Sequence, residues 1–226
     1  MSRARRPRRK LVVVSLLLSL VLLGGAVWLA YFSPLLVVRQ VAVSGQQQLR
    51  SEQIIAAAQV PIGTPLALQD VDAIARHATT LPAVRAASVS RTWPDTITVT
   101  VTERRPVLAV RQPGGFALVD PEGVAFAESG SMPGGVLLAE VNSTDRPLLQ
   151  QVGAVATAIS GGLGRQVSVL AATDGERISV KLKSGVTVNW GSAADSALKA
   201  DIVTALLKSS RASSIDVSSP HNPAAR

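Results

Sequence analysis

VRAASVSRTWPDTITVTVTE, residues 84–103, is the stretch that decides the fold of the first folded domain. Its two halves, Val84–Trp93 and Thr96–Glu103, are rich in β-branched residues, and Pro94-Asp95 between them is typical of a turn. In the second half, apolar residues alternate with threonines, which favours a strand with one buried and one polar face. The stretch therefore predicts a β-hairpin.

The residues before this hairpin predict one further strand and two short helices. Leu35–Val43 is apolar and β-branched, as strands usually are. Ser51 is a suitable N-cap for a helix over Ile54–Gln59, and apolar residues recur at helical spacing over about Gln69–Thr79. The predicted order is β-α-α-β-β, a small sheet covered by two helices.

After Arg104-Arg105-Pro106 the pattern becomes richer in strands. Turn residues such as Gly114-Gly115 and Lys183-Ser184-Gly185 separate short apolar runs. The predicted strands are Val107–Arg111, Phe116–Val119, Val124–Phe126, Gln166–Ala171, Arg177–Leu182, Val186–Trp190 and Ser214–Val217.

Two helices and a polar end complete this second region. The helices are predicted over Leu148–Ile159 and Ala193–Ser209. The residues expected on the apolar face of the second helix are Leu198, Ile202, Ala205 and Leu206. Residues 218–226 are polar and contain proline, so we expect them to form a disordered tail.

Near the start of the chain, Leu11–Phe32 is a run of 22 residues without a charge. As a helix it spans about 33 Å, close to the hydrocarbon core of a bilayer. Basic residues precede it, which predicts a cytoplasmic tail over residues 1–10 and an extracytoplasmic C-terminal part. A cleaved secretory signal is the alternative, but Trp28-Leu29-Ala30 lacks its small residue. The predicted fold class is α+β with a single N-terminal transmembrane helix.

The net charge of +8 is concentrated in that tail. From Leu11 onward there are 17 basic and 15 acidic residues. The six basic residues before it are Arg3, Arg5, Arg6, Arg8, Arg9 and Lys10. This distribution, with few and scattered aromatic residues, argues against nucleic acid as a partner. The chain has no cysteine and two histidines, so we expect no thiolate nucleophile, metal site or cofactor.

The match Ser196-Ala197-Leu198-Lys199 has the S-x-x-K spacing of penicillin-binding enzymes, and Lys183-Ser184-Gly185 resembles their third motif. However, the third motif precedes the Ser/Lys pair, and no S-D-N motif lies between them. We therefore expect no enzymatic activity, with a membrane-anchored Ser/Lys hydrolase as the weaker alternative.

Several short motifs in order resemble the FtsQ/DivIB family of bacterial cell-division proteins. They are Val41-Ala42-Val43-Ser44-Gly45, Arg91-Thr92-Trp93-Pro94-Asp95, Glu103-Arg104-Arg105-Pro106-Val107, Leu118-Val119-Asp120-Pro121-Glu122-Gly123, and Gly191 with Lys199. The resemblance implies a POTRA domain over residues 36–104 and an FtsQ-type β domain over 106–217. The transmembrane helix would occupy residues 11–32.

The same resemblance implies a non-enzymatic scaffold of the divisome at the division septum. Such a scaffold links FtsB/DivIC-like and FtsL-like bitopic proteins to the septal peptidoglycan synthase complex. The implied partner site is the edge of the final strand, at Ile215, Asp216 and Val217, with Lys199 on the preceding helix facing an acidic partner residue. A lysine that is merely solvated is the alternative for Lys199. The alternative function is a POTRA-containing export or secretion component.

Overall fold

The computed structural model describes residues 7–209 and 212–225. The chain forms two compact units, one ending at Glu103 and the other beginning at Arg104. Residues 1–6 of the predicted cytoplasmic tail lie outside the described residues.

Helix α1 spans Pro7–Phe32. Its side chains are described without a gap from Leu11 to Gly25, and all of these are exposed. Among the described residues, no helix is long and apolar enough to cross a membrane. The anchor predicted over Leu11–Phe32 therefore stays a prediction.

The rest of the first unit has the predicted β-α-α-β-β order. Its elements are β1 (Gln40–Ser44), α2 (Ser51–Ala58), α3 (Val71–Ala78), β2 (Val84–Thr92) and β3 (Thr96–Glu103). Strand β3 lies in the centre of the sheet, parallel to β1 and antiparallel to β2. The alternating apolar residues of β3 are buried against the two helices, in a core that includes Ile97, Val99, Val101, Ile54, Ala58 and Ile74.

Two boundaries in this unit differ from the sequence prediction. The first strand begins at Gln40 rather than Leu35, because Val38 bonds to the loop after α2 instead of the sheet: its amide donates to the Thr64 carbonyl at 2.9 Å. Helix α2 is capped at Arg50, and Ser51 is its first residue. The Ser51 hydroxyl accepts a bond from the Gln46 side chain at 3.0 Å instead of capping the helix.

In its described residues, the second unit is a nine-stranded sheet with two α-helices. Its elements are β4 (Leu108–Gln112), β5 (Gly115–Val119), β6 (Ala125–Ser129), β7 (Leu137–Val141), α4 (Arg146–Ile159), β8 (Val167–Ala172), β9 (Ile178–Leu182), β10 (Thr187–Gly191), α5 (Ser196–Ser209), β11 (Ser214–Asp216) and β12 (Ala224–Ala225). The strand order is β12-β11-β10-β9-β8-β7-β4-β5-β6. This β-rich arrangement agrees with the predicted α+β class.

Two strands of this sheet have no counterpart in the sequence prediction. Strand β7 lies in the middle of the sheet, parallel to both β4 and β8. Strand β12 is part of the segment for which the sequence predicts disorder, and it pairs with β11 at one edge of the sheet. Helices α4 and α5 contact each other and contribute to one core with the strands, and Ile215 of β11 belongs to that core.

Candidate functional site

Two of the side chains predicted to bind a partner, those of Ile215 and Val217, point into the protein. Ile215 and Val217 are fully buried and belong to the main core of the second unit. Strand β11 pairs in parallel with β10, with Val188 opposite Ile215. Since these side chains are committed to the core, β11 offers a partner mainly its backbone.

The backbone groups of β11 divide between its two neighbours. The Ser213 carbonyl accepts from the Thr187 amide at 3.2 Å, and the Val217 amide donates to the Asn189 carbonyl at 2.9 Å. Because alternate residues of a strand turn their amide and carbonyl groups to opposite sides, those of Ser214 and Asp216 face away from β10.

The outward side of β11 is occupied by the chain itself. Ala225 lies opposite Ile215 and Ala224 opposite Asp216 in an antiparallel pair. The chain reverses direction between the two strands through a turn in which the Asn222 amide donates to the Ser219 carbonyl at 2.9 Å. The open edge expected for the final strand is therefore covered by a strand of two residues.

Asp216 holds the β10–β11 pair and the turn that follows it. One carboxylate oxygen accepts from the Asn189 side chain at 2.9 Å. The other accepts from the Ser218 amide at 2.9 Å and the Ser218 hydroxyl at 2.7 Å. The carboxylate is thus bonded within its own unit, where it sets the direction in which the chain leaves β11.

Gly191 ends β10 where the backbone of residue 218 approaches it closely. Its φ is +72°, and an added Cβ would lie 2.9 Å from the Ser218 Cβ. A side chain here would meet both an unfavourable backbone conformation and a steric clash. The glycine is therefore required for the approach of β10 to the residues after β11.

Lys199 lies inside the second unit, with an exposed fraction of 1%. Its ammonium donates to the carbonyls of Trp190 at 3.0 Å and Ser192 at 2.9 Å. Burial lowers the pKa of Lys199, against the smaller opposite effect of the Asp195 and Glu176 carboxylates. This placement differs from both sequence interpretations of Lys199, as a partner-facing or a solvated residue, because the side chain instead satisfies two backbone carbonyls.

The buried face of α5 is rotated relative to the predicted one. The buried residues are Ser196, Lys199, Ala200 and Val203, whereas Leu198 is exposed. Their spacing of three and four residues is helical, but two of the four are polar. The prediction was wrong for Leu198 and Ala205, which are exposed, whereas Ile202 and Leu206 are partly buried and pack against the core. The polar Ser196 and Lys199 were left out because the face was assigned from apolar residues alone.

Trp190 is the residue that the sequence analysis missed. Its side chain is fully buried, and its indole N–H donates to the Ser196 hydroxyl at 3.0 Å. The hydroxyl in turn donates to the Ala193 carbonyl at 2.8 Å. Ser196 and Lys199 therefore both tie α5 to the segment after β10. In this arrangement the two residues of the S-x-x-K match bond to that segment.

Glu103 and Arg104 are the last residue of the first unit and the first of the second, and each bonds within its own unit. The Glu103 carboxylate accepts from the amides of Gln47, Gln48 and Leu49, each at 2.9 Å. Burial acts to raise the pKa of Glu103, but the three amide bonds outweigh it and hold the pKa below its ordinary value. Glu103 thereby fixes the loop that leads from β1 to α2.

Arg104 plays the corresponding part in the second unit. Its guanidinium bonds to the buried Asp120 carboxylate and to Glu122 at 3.1 Å. Asp120 also accepts from the Glu122 and Val124 amides at 3.0 and 2.9 Å. These contacts explain two of the sequence motifs, Glu-Arg-Arg-Pro and Asp-Pro-Glu-Gly, as devices that shape turns.

Comparison with known families assigns both units. Residues 36–104 match the POTRA domain of the FtsQ type. Residues 108–218 match the C-terminal region of the cell division protein FtsQ/DivIB. The two matches together span nearly the whole chain after α1.

Relatives that match over most of this chain carry the name cell division protein FtsQ. The protein of Streptomyces bingchenggensis is 39% identical, over 98% of this chain and 88% of that protein. The protein of Streptomyces collinus is 38% identical, over 97% and 88%. The protein of Mycobacteroides abscessus is 36% identical, over 94% of this chain and 68% of that protein.

Proposed function

Because this chain belongs to the FtsQ/DivIB family of cell division proteins, we propose that it is a non-enzymatic scaffold of the divisome. It is held in the cell membrane by a single helix over Leu11–Phe32, with its N-terminus in the cytoplasm and the folded domains outside. The support is the uncharged run of 22 residues, preceded by basic residues. At the septum it acts by binding other division proteins.

The proposed partners are FtsB/DivIC-like and FtsL-like bitopic proteins, which the scaffold connects to the septal peptidoglycan synthase complex. A bitopic partner reaches the second unit with a short extracytoplasmic segment. An extended segment of this kind binds well to a sheet edge, since main-chain hydrogen bonds provide affinity without a deep pocket.

The β11 edge is the site that we propose for this segment. The observation that carries the proposal is that the outward side of β11 is paired with a strand of only two residues, Ala225 opposite Ile215 and Ala224 opposite Asp216. A longer partner strand makes more main-chain hydrogen bonds to β11 than Ala224–Ala225 does. Each such hydrogen bond contributes about 1 kcal/mol net. The partner therefore takes the place of β12, and Ile215, Asp216 and Val217 bind through the backbone of their strand.

Lys199 supports this site from within rather than touching the partner. It holds the Trp190 and Ser192 carbonyls at the end of β10, the strand on which β11 is built. In this proposal Lys199 is a positioning residue, and its loss moves the edge.

A proline in β11 tests the site. Ser214→Pro removes an outward amide while leaving the bond from Val217 to β10 in place. We expect pull-down of the extracytoplasmic segment of the FtsB-like partner by the full chain to be lost, with Trp190 fluorescence unchanged. Leu198→Gln, an exposed change on α5, is the matched control and should bind normally. Normal binding by Ser214→Pro would overturn the edge as the site.

A further inference from the structure

Four large apolar side chains are exposed at one end of the first unit. Leu35, Ile62, Leu68 and Trp93 have exposed fractions of 65%, 58%, 60% and 51%. Among the described residues after α1, the other large exposed apolar side chains are Ile55, Met132 and Leu198. Such clustering usually marks an interaction surface. We call these four residues the proximal patch.

Backbone bonds bring three separate segments together at this patch. The Val38 carbonyl accepts from the Gly63 amide at 2.8 Å, which places the loop of Ile62 beside the chain that follows Leu35. On the other side, the Arg39 amide donates to the Asp95 carbonyl at 2.8 Å, which places the Trp93 turn there.

Arg91 adds the last segment to the surface. Its side chain donates to the Leu66 carbonyl at 3.0 Å and to the Gln69 carbonyl at 2.6 Å. The turn that carries Leu68 is thus held next to the strand that leads to Trp93. The patch is built from fixed loops and keeps its apolar side chains outside.

The proximal patch lies where α1 joins the first unit. The short turn Leu66–Leu68 contacts α1. Leu35 follows the last residue of α1, Phe32, by three positions. In the same helix, Trp28 and Tyr31 are also exposed. The patch is therefore close in sequence to exposed aromatic side chains of the helix.

Charged residues of both signs flank the patch in sequence. They are Arg39, Asp70, Asp72, Arg91 and Asp95. Arg39 donates to the Pro34 carbonyl, Asp70 caps α3 through the Ala73 amide, and Asp95 accepts from the Thr96 hydroxyl. A surface that carries both signs of charge and exposed apolar side chains favours an apolar partner over a strongly charged one.

We infer that the proximal patch inserts into the interfacial layer of the membrane from which α1 emerges, an inference that rests on the proposed anchor. Tryptophan and large aliphatic side chains are favoured at that depth. The tether removes most of the entropic cost of association, so a small patch suffices. The first unit is then held against the outer leaflet in one orientation.

Tryptophan quenching in a bilayer tests this inference. The full chain with Trp28→Phe is reconstituted into phosphatidylcholine vesicles that carry brominated acyl chains. Trp93 and the buried Trp190 remain as fluorophores. We expect loss of most Trp93 emission, a shift of that emission to the blue, and little effect of added salt. The Trp28→Phe/Trp93→Phe variant is the control and should show no quenching.

The other outcomes separate the patch from the anchor. A chain that fails to float with the vesicles overturns the anchor and the inference with it. A chain that floats while Trp93 stays unquenched overturns the patch and leaves the anchor intact. Protection of Trp93 only after addition of a division partner would make the patch a protein site and overturn the inference. Ile62→Gln with Leu68→Gln should reduce quenching, whereas Leu198→Gln should not.

Discussion

Glu103 and Lys199 do the same task in opposite ways, one in each unit. The Glu103 carboxylate collects three backbone amides, and the Lys199 ammonium collects two backbone carbonyls. Glu103 ends a strand of a local hairpin, whereas Lys199 lies on a helix whose partners include the strand before it. The comparison shows that both charged side chains form hydrogen bonds with backbone groups of their own unit. From the sequence alone, a lysine with this structural role can be mistaken for a partner-binding residue.

The largest expected effect comes from removing the buried cation. Lys199→Ala leaves the Trp190 and Ser192 carbonyls without their donor and removes a buried side chain. We expect a loss of about 3 kcal/mol in the stability of the second unit. Urea unfolding of the full chain in detergent, followed through Trp190 fluorescence, measures it.

Lys183→Ala is the matched control for this change. Lys183 also donates to a carbonyl, that of Arg165 at 2.8 Å, but it is exposed. We expect its loss to change the stability by less than about 0.5 kcal/mol. Equal stability of Lys199→Ala and the wild type, with partner binding lost, would restore Lys199 to the binding surface.

The second largest expected effect on stability comes from changing Glu103. Glu103→Gln places an amide group against the backbone amides that the carboxylate accepts, which should cost the first unit about 2 kcal/mol. The pKa of Glu103 is held below its ordinary value in the folded chain, so its contribution is present at neutral pH and is lost as the pH falls below about 4.5. The stability difference between wild type and variant should therefore shrink in acid.

Trp93 fluorescence during urea unfolding at several pH values measures this effect. Glu52→Gln, an exposed carboxylate in the first turn of α2, is the control and should have a small effect at every pH. A stability difference that stays constant from neutral pH into acid would contradict the assigned role of Glu103.

The contribution of Lys199 to stability should change at alkaline pH rather than in acid. Its pKa is lowered in the folded chain, so the folded state binds fewer protons than the unfolded state at alkaline pH. The stability of the wild type relative to Lys199→Met should therefore rise as the pH is raised toward the ordinary lysine value. Unfolding curves of both proteins at increasing pH measure the difference, and a falling difference would contradict the burial of the charge.

The smallest effect concerns the strand that covers the edge. Deletion of residues 219–226 removes β12 but keeps Asp216 and its bonds to Ser218. If the partner displaces β12, the truncated chain should bind the partner segment about tenfold more tightly, since about 1.4 kcal/mol of pairing need not be broken. Titration of both chains with the labelled segment measures this, and weaker binding after truncation would show that the tail helps to hold the partner.

Local patterns accounted for much of this fold. The hairpin of residues 84–103 was predictable because alternation and the Pro94-Asp95 turn act between neighbours in sequence. Strand β7 was missed, since its five residues follow a Gly/Pro-rich loop and gain their pairing from β4 and β8 far along the chain. The partner site at β11 stays a prediction, but the role assigned to Lys199 was misjudged because Lys199 was taken for a surface residue and is buried.

The sequence alone determined the order of the elements other than β7 and β12, the uncharged run before them and the motifs of the family, because periodicity, turn residues and charge are local properties. Only the tertiary structure decided which face of α5 is buried, what Lys199 bonds, and that Ala224–Ala225 covers the edge of β11. These features depend on backbone groups that come together from distant positions. A buried polar side chain is stable only where such groups form hydrogen bonds with it. The local sequence pattern does not show which distant groups will do so.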